Sequence, residues 1–205
     1  MKRFFLALAV YFISLNSLYA LIEVDITRGN LDPLPIAVSP LHVDIKSVEH
    51  EGVRVKELGN NISSIIEKNF KNTGLFNPLN KEAFVQKPDI AHLKPRFEDW
   101  RLIKAQALVT GKLLVKDGKL KVEFRLWDLT AAKEMTALAF TTTPSNWRRV
   151  AHIISDKIYE RLTGEEGYFD TRIIYVSEKG PKSERIKKLA IMDQDGANTK
   201  YLTLG

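Results

Sequence analysis

Three predicted strands between residues 107 and 142 impose the strongest constraint on the fold. In the middle segment, apolar residues alternate with charged ones; the apolar positions are Leu120, Val122, Phe124 and Leu126. This period of two buries one face of a strand and leaves the other face in water. An Asp-Gly pair within Lys116–Lys119 predicts a tight hairpin turn before it, and residues 134–142 supply a third strand. The chain must therefore form an antiparallel sheet whose apolar face needs a cover.

An amphipathic helix over residues 53–74 is predicted to supply part of that cover. Its apolar residues recur at steps of three and four, which places one apolar stripe on the helix. They are Val55, Leu58, Ile62, Ile65, Ile66 and Phe70. Gly74 suits the position after the last turn, whereas Gly59 lies inside the helix, where it is expected to cost about 1 kcal/mol relative to Ala.

A second long helix is predicted between Ser145, which we expect to cap it, and Gly164, which ends it. Its stripe consists of Trp147, Val150, Ala151, Ile154, Ile158 and Leu162. A shorter helix is predicted over residues 98–106, with Trp100 and Ile103 facing inward.

The order of these elements predicts the fold class. A strand begins at Pro35 and is ended or confined to a sheet edge by Pro40. It precedes the two earlier helices, the three strands and the last helix. We therefore expect residues 35–164 to form an α+β domain, with a mixed, mostly antiparallel sheet and helices on one face.

The character of the sequence changes after Gly164. Residues 165–180 contain a strand with Ile173, Ile174, Tyr175 and Val176, and two further alternating runs flank the turn Asp193–Gly196. Three strands without a helix or a second layer cannot bury both of their faces. Residues 165–205 are predicted to be the beginning of a second, all-β domain.

The first residues predict export. Lys2 and Arg3 precede an apolar stretch from Phe4 to Leu15, which is the layout of a secretory signal peptide over residues 1–20, too short for a membrane span. A retained N-terminal anchor is the alternative. No Cys occurs in the chain, so neither a lipoprotein nor a disulfide framework is expected. Residues 21–34 alternate briefly and then contain Gly, Asn and Pro, which indicates a short strand or tail followed by a linker.

No catalytic or cofactor motif is found. The net charge is +6, but the basic residues are spread along the chain, which disfavours nucleic-acid binding. Nucleophile elbows and phosphate-binding glycine loops are absent. The turn Asp193–Gly196 lacks the ligand spacing of a calcium loop, and the four histidines lack metal-ligand spacing, so no metal site is predicted. His152 is expected at the edge of the core, and Trp127 either in the core or facing a partner.

Four segments together resemble one protein family. They are G-L-F-N-P-L from Gly74, A-L-V-T-G-K from Ala107, L-T-G-E-E-G-Y-F-D-T-R-I-I-Y-V from Leu162 and D-Q-D-G-A-N from Asp193. These segments are similar to the periplasmic TolB family of the Tol–Pal system in Gram-negative bacteria. The resemblance implies an N-terminal α+β domain followed by a six-bladed β-propeller, so the terminal strands would be an incomplete first blade of a truncated, split or partial chain.

The resemblance also implies partners. In the family, the propeller carries most of the contact with the outer-membrane lipoprotein Pal, and the mature N-terminal segment recruits the inner-membrane protein TolA. Here that segment is residues 21–34, and the residues expected to bind TolA are Ile22, Glu23, Val24, Asp25 and Ile26. An extended segment of this kind can add to a partner's sheet edge. The expected function is a non-enzymatic envelope component that acts in outer-membrane invagination at division and in envelope integrity.

Two other classes of function stay open at this point. Related propellers precede hydrolase domains, so the chain could be the N-terminal part of a periplasmic peptidase, which would require a catalytic domain downstream. It could also be a small ligand-binding module, which would require a deep apolar pocket.

Overall fold

Strand β1 (Leu34–Val38) lies inside a six-stranded mixed sheet. The computed structural model describes residues 32–44, 49–50 and 53–204. β1 pairs in parallel with β5 (Phe76–Pro78) on one side and with β6 (Ala107–Lys116) on the other. Its side chains at positions 36–38 are fully buried because layers of the protein cover both faces of the strand.

Pro40 interrupts the first strand, as predicted. β1 ends at Val38, and β2 (His42–Val43) then resumes parallel pairing with β6. Pro40 has no N–H to donate to a neighbouring strand. The next amide, that of Leu41, donates instead to the carbonyl oxygen of Gly59 at 3.2 Å. The first strand is therefore broken at the point where the chain contacts the first long helix.

The three strands predicted between residues 107 and 142 form the antiparallel part of the sheet. β6 pairs with β7 (Lys119–Asp128), and β7 pairs with β8 (Lys133–Thr142). Asp117 and Gly118 both have positive φ, at 51° and 70°, as a type I′ hairpin turn requires. Leu120, Val122, Phe124 and Leu126 of β7 are at most 1% exposed, which confirms the predicted alternation.

Two long helices cover one face of this sheet. They are α1 (Val55–Thr73) and α4 (Trp147–Thr163), and each is followed by a glycine in the left-handed conformation, Gly74 and Gly164. The predicted cap of α4 is wrong. Residues Pro144–Asn146 form a 3₁₀ turn, and the Ser145 hydroxyl lies 3.0 Å from the Thr143 hydroxyl rather than at a helix amide. The helix thus continues from the turn without a side-chain cap.

Short elements cover part of the opposite face. They are α2 (Pro88–Ala91) and α3 (Phe97–Leu102), and Trp100 of α3 is buried at 1% exposure. The predicted helix over 98–106 ends early because Lys104 adopts a positive φ of 61° and the Ala105 amide bonds back to the Trp100 carbonyl at 3.2 Å. Ile103 is half-buried in the same cluster. The predicted α+β class is confirmed, with this partial second layer in addition.

The remaining strands form two small sheets. β3 (Glu49–His50) pairs with β4 (Val53–Arg54) before α1. β9 (Arg172–Lys179), β10 (Ile186–Asp193) and β11 (Lys200–Tyr201) form a three-stranded antiparallel sheet with β10 in the middle. Several apolar side chains of this terminal sheet are exposed, including Ile174 at 61%. The strands predicted after Gly164 are confirmed, and their assignment to a separate domain stays a prediction.

The predicted signal peptide (residues 1–20) and the segment 21–31 lie outside the described residues. Within the part of the chain that the structure does describe, no helix has the length and apolar character needed to cross a membrane.

Gly59 has a packing role that the helix pattern did not reveal. A Cβ atom at this position would lie 2.1 Å from the carbonyl oxygen of Leu41 and 3.1 Å from a methyl group of Val43. The chain after β1 can therefore approach α1 only because residue 59 has no side chain.

We predict that Gly59→Ala destabilises the protein by about 1–3 kcal/mol, although Ala is the better helix former, because the new methyl group overlaps backbone atoms. Urea unfolding measures the change. Asn60→Ala, at the exposed neighbouring position of the same helix, is the control and should be neutral or slightly stabilising. Equal or greater stability in Gly59→Ala would contradict the proposed close contact.

Candidate functional site at the junction of the helices and the terminal hairpin

The residues predicted to bind TolA precede the part of the chain that the structure describes. Ile22, Glu23, Val24, Asp25 and Ile26 all lie outside the described residues. Within the described part of the chain, the largest group of buried polar side chains lies where α1 and α4 meet residues 165–171 and the β10–β11 turn. This junction is the candidate site that the structure itself defines.

Asp156 of α4 holds the segment that enters the terminal sheet. Its carboxylate accepts hydrogen bonds from the backbone amides of Phe169 at 2.6 Å and Asp170 at 3.1 Å. Burial raises the pKa of Asp156, and these two amides partly offset that effect. Gly167 allows the close approach, because a Cβ there would lie 2.4 Å from the Cα of Asp156.

Phe169 anchors the same segment in the hydrophobic core. The ring is 2% exposed and contacts Phe70 of α1 and Tyr159 of α4 edge-on, at centroid distances of 6.3 and 5.8 Å. Full burial of such a side chain contributes about 1.5–3 kcal/mol. Within the segment from Leu162 to Val176, Gly167, Phe169 and the two amides bonded to Asp156 therefore have structural roles.

A buried polar network connects α1, α4 and the β10–β11 turn. The side-chain amide nitrogen of Asn69 lies 3.1 Å from Nδ1 of His152 and donates to the Ser155 hydroxyl at 2.9 Å. Its oxygen accepts a hydrogen bond from the amide of Gln194 at 3.0 Å. All three residues on the helices are at most 2% exposed. Because buried polar groups need partners, Gln194 completes a network that the two helices alone leave open.

Charged residues extend this network toward solvent. Arg148 donates to the Asp195 carboxylate, whose side chain is 3% exposed. Nε2 of His152 lies 3.9 Å from the same carboxylate, too far for a hydrogen bond, and is a buried atom without a hydrogen-bond partner among the described residues. Burial lowers the pKa of His152, against the opposing effect of Asp195. Burial alone would raise the pKa of Asp195, but the Ala197 amide and Arg148 outweigh it and leave that pKa lowered.

A cavity of about 270 Å³ lies beside the charged residues. Cations contribute much of its lining; they are Arg148, Arg149, Arg172 and Lys200. Asp170 and Asp193 are the carboxylates in the lining, and Arg149 bonds to Asp170 at 3.1 Å. The junction is thus polar, charged and accessible from one side.

Sequence reasoning missed this junction. His152 was expected at the core edge, and it is instead fully buried within the polar network. The available signal was a polar residue next to an apolar stripe, as with Asn69 beside Phe70 and His152 beside Ala151. The turn at Asp193–Gly196 is confirmed, with the Gly196 amide bonded to the Asp193 carbonyl at 2.9 Å. Trp127 is half-buried, and its Nε1 donates to Thr110 at 2.9 Å.

Comparisons with known proteins agree with this architecture. The model of the TolB amino-terminal domain family matches residues 22–135. A Tol-Pal system protein TolB from Pelagibacter ubique (strain HTCC1062) is 71% identical over 189 residues, which cover 91% of this chain and 42% of that protein. The crystal structure of TolB from Acinetobacter baumannii has a TM-score of 0.68 and 23% identity, covering 84% of this chain and 39% of the other.

The fold and the junction define a class of protein. It is an α+β domain with two long helices on one face of a mixed sheet, followed by a short antiparallel sheet. The chain belongs to the TolB amino-terminal domain family, as the match over residues 22–135 shows. It spans 42% of the length of the Pelagibacter relative.

We predict that Asp156→Ala loosens the attachment of residues 165–204, since the Phe169 and Asp170 amides lose their acceptor at a cost of about 1–3 kcal/mol. Limited proteolysis should cut faster beyond residue 164, while the α1 region keeps its resistance. Glu160→Ala is the control, because its exposed ion pair with Lys157 contributes little. Unchanged cleavage in Asp156→Ala would contradict the assigned role.

The buried, unprotonated state of His152 predicts a pH dependence. Its pKa is lowered in the folded state, so the unfolded chain binds this proton more readily. The stabilising contribution is full above about pH 6.5, the pKa of an unperturbed histidine, and decreases as the pH falls below it. The free energy of unfolding is measured between about pH 7 and pH 5, with a chelator in the buffer to keep metal ions away from the histidine. It should decrease less with falling pH in His152→Gln than in the unsubstituted chain. The same slope in both proteins would refute the assignment, and His92→Gln serves as the control.

Proposed function

We propose that the chain functions as a non-enzymatic periplasmic component of the Tol–Pal envelope system, in outer-membrane invagination during division and in envelope integrity. The single observation that carries this proposal is the 71% identity, over 189 residues, to a protein named as the TolB of that system. Identity at that level over 91% of the chain supports a shared role, and the family match supports it independently.

The proposed location is the periplasm, reached through cleavage of the signal peptide at residues 1–20. The support is the sequence itself, in which two basic residues precede an apolar stretch from Phe4 to Leu15. A protein placed there can contact proteins that are anchored in either membrane of the envelope. Cell fractionation, with detection of the mature size, tests this part of the proposal.

The proposed inner-membrane partner is TolA, bound through the mature N-terminus. Ile22, Val24 and Ile26 alternate with Glu23 and Asp25, so an extended conformation presents one apolar and one acidic face. Such a segment can pair with a partner's sheet edge, with the apolar residues as anchors. Gly29, Asn30 and Pro33 follow it and favour a flexible connection to β1.

The proposed outer-membrane partner is Pal, contacted chiefly through the propeller of the full-length family members. The terminal sheet of β9, β10 and β11 is proposed to belong to the first blade of that propeller. Its exposed apolar residues support this, since blades bury such surface against one another.

Replacement of Ile22, Val24 and Ile26 by Ser should abolish binding of the periplasmic domain of TolA, measured by calorimetry, without lowering the thermal midpoint. The apolar anchors would be lost while the described fold keeps its core. The matched control is Leu102→Ser, at an apolar side chain that is 80% exposed on α3 and should leave binding unchanged. Retained binding in the triple variant, or unfolding of the domain, would contradict the proposed role of this segment.

A further inference from the structure

Three potential metal ligands meet at the junction from two distant parts of the chain. His152 comes from α4, Asp193 from the end of β10 and Asp195 from the following turn, and their ligand atoms all lie within 4.8 Å of one another. We propose that these three side chains form a binding site for a divalent transition metal ion of the Zn²⁺ type, which links α4 to the terminal hairpin. This inference rests on the junction alone and is independent of the proposed Tol–Pal role.

The unpartnered nitrogen of His152 is the independent observation that points to a ligand. The side chain is only 3% exposed, and its Nε2 has no hydrogen-bond partner among the described residues. It faces Asp195, whose nearer oxygen is 3.9 Å away. Two atoms that are each about 2.1 Å from one metal ion can lie up to about 4.2 Å apart. An ion between them would satisfy the buried nitrogen, and a tetrahedral site would draw the two atoms from 3.9 Å to about 3.4 Å apart.

The donor set selects the kind of ion. One imidazole nitrogen with two carboxylates suits Zn²⁺ and similar transition metals, which accept both nitrogen and oxygen ligands. Ca²⁺ prefers six to eight oxygen ligands, and this cluster offers two carboxylates. His152 and Asp193 also line the cavity of about 270 Å³. A fourth coordination position would therefore face the cavity, where water can occupy it.

The second layer of residues can support this arrangement. A histidine that binds a metal through Nε2 carries its proton on Nδ1 and donates it to an acceptor. Nδ1 of His152 lies 3.1 Å from the amide group of Asn69. Rotation of that amide would present its oxygen to Nδ1, and a matching rotation of the Gln194 amide would keep their mutual hydrogen bond. Ser155 has one hydroxyl proton, which now bonds to the Ala151 carbonyl oxygen at 2.9 Å, so it would donate to the Asn69 oxygen by exchanging that bond for the new one.

Neighbouring arginines lower the affinity expected for a metal ion, but they leave lone pairs of the two aspartates available as ligands. Arg148 bonds to Asp195, and Arg172 lies 3.8 Å from Asp193. A carboxylate has about four lone-pair sites on its two oxygens, so each aspartate can contact a guanidinium group and an ion together. The lowered pKa of His152 keeps its imidazole neutral and available to a metal at neutral pH.

The test titrates the chain, prepared without a polyhistidine tag, with Zn²⁺ by calorimetry and with Co²⁺ by visible absorption. We expect one equivalent of metal ion to bind saturably. The visible absorption of the Co²⁺ complex should be that of an ion with a low coordination number. Loss of a residue that only hydrogen-bonds to a metal ligand weakens metal binding by roughly 10–100-fold. His152→Gln and Asp193→Asn each remove a ligand, so each should weaken metal binding by more than this. Asp170→Asn, which alters another carboxylate of the same cavity, and His92→Gln, a histidine elsewhere, should leave binding unchanged.

Three results would overturn the proposal. They are the absence of saturable binding, binding that persists in Asp193→Asn, and equal weakening by the two control substitutions, which would indicate adventitious surface binding. Because His152 is buried, circular dichroism must show that His152→Gln folds. If it does not, Asp193→Asn decides the question alone, since its side chain is 19% exposed and its loss should be tolerated.

Discussion

The packing of α1 against α4 over the sheet is the interaction on which the rest of the structure depends. Both helices bury apolar stripes on the same face, but their contact also contains Asn69, His152 and Ser155, which are as buried as the apolar core. Burying polar groups without partners is costly, so each partner that a buried group gains stabilises this contact. Gln194 provides the partner that the helices lack. The terminal hairpin is therefore part of what makes the helical layer complete.

The approach of that hairpin is set by the backbone of residues 164–170. Gly164 ends α4 in the left-handed conformation, and Gly167 lets the returning chain lie against Asp156. Asp156 then fixes two successive amides, and Phe169 inserts into the core between the helices. These contacts determine where β9 begins and, through it, where the acidic turn meets Arg148. The position of the charged junction thus follows from short-range backbone geometry together with one buried ring.

The parts of the fold that follow from local periodicity could be predicted from the sequence. The alternation in β7 and the stripes of α1 and α4 depend on residues a few positions apart, and the structure confirms them. Features decided by distant neighbours could not be predicted. Gly59 is needed because of the Leu41 carbonyl, and the junction joins residues of α1, α4 and the β10–β11 turn. The family resemblance indicated the class of protein, but no spacing rule brings Asn69 to Gln194.

Few of the contacts at the junction contribute much to its stability. The Arg149–Asp170 pair involves an arginine side chain that is 66% exposed, and exposed ion pairs contribute little. The energetic weight therefore falls on the buried Phe169 ring, the two amides bound by Asp156, the Asn69–Gln194 hydrogen bond and the Arg148–Asp195 pair, whose carboxylate is 3% exposed. Only the Phe169 ring is apolar, and the polar contacts weaken steeply as their distances and angles depart from the preferred values. A junction built in this way holds the hairpin in one position and weakens after a small displacement, which also leaves the buried Asn69 without its Gln194 partner, while the apolar core of the helices and sheet keeps its own contacts.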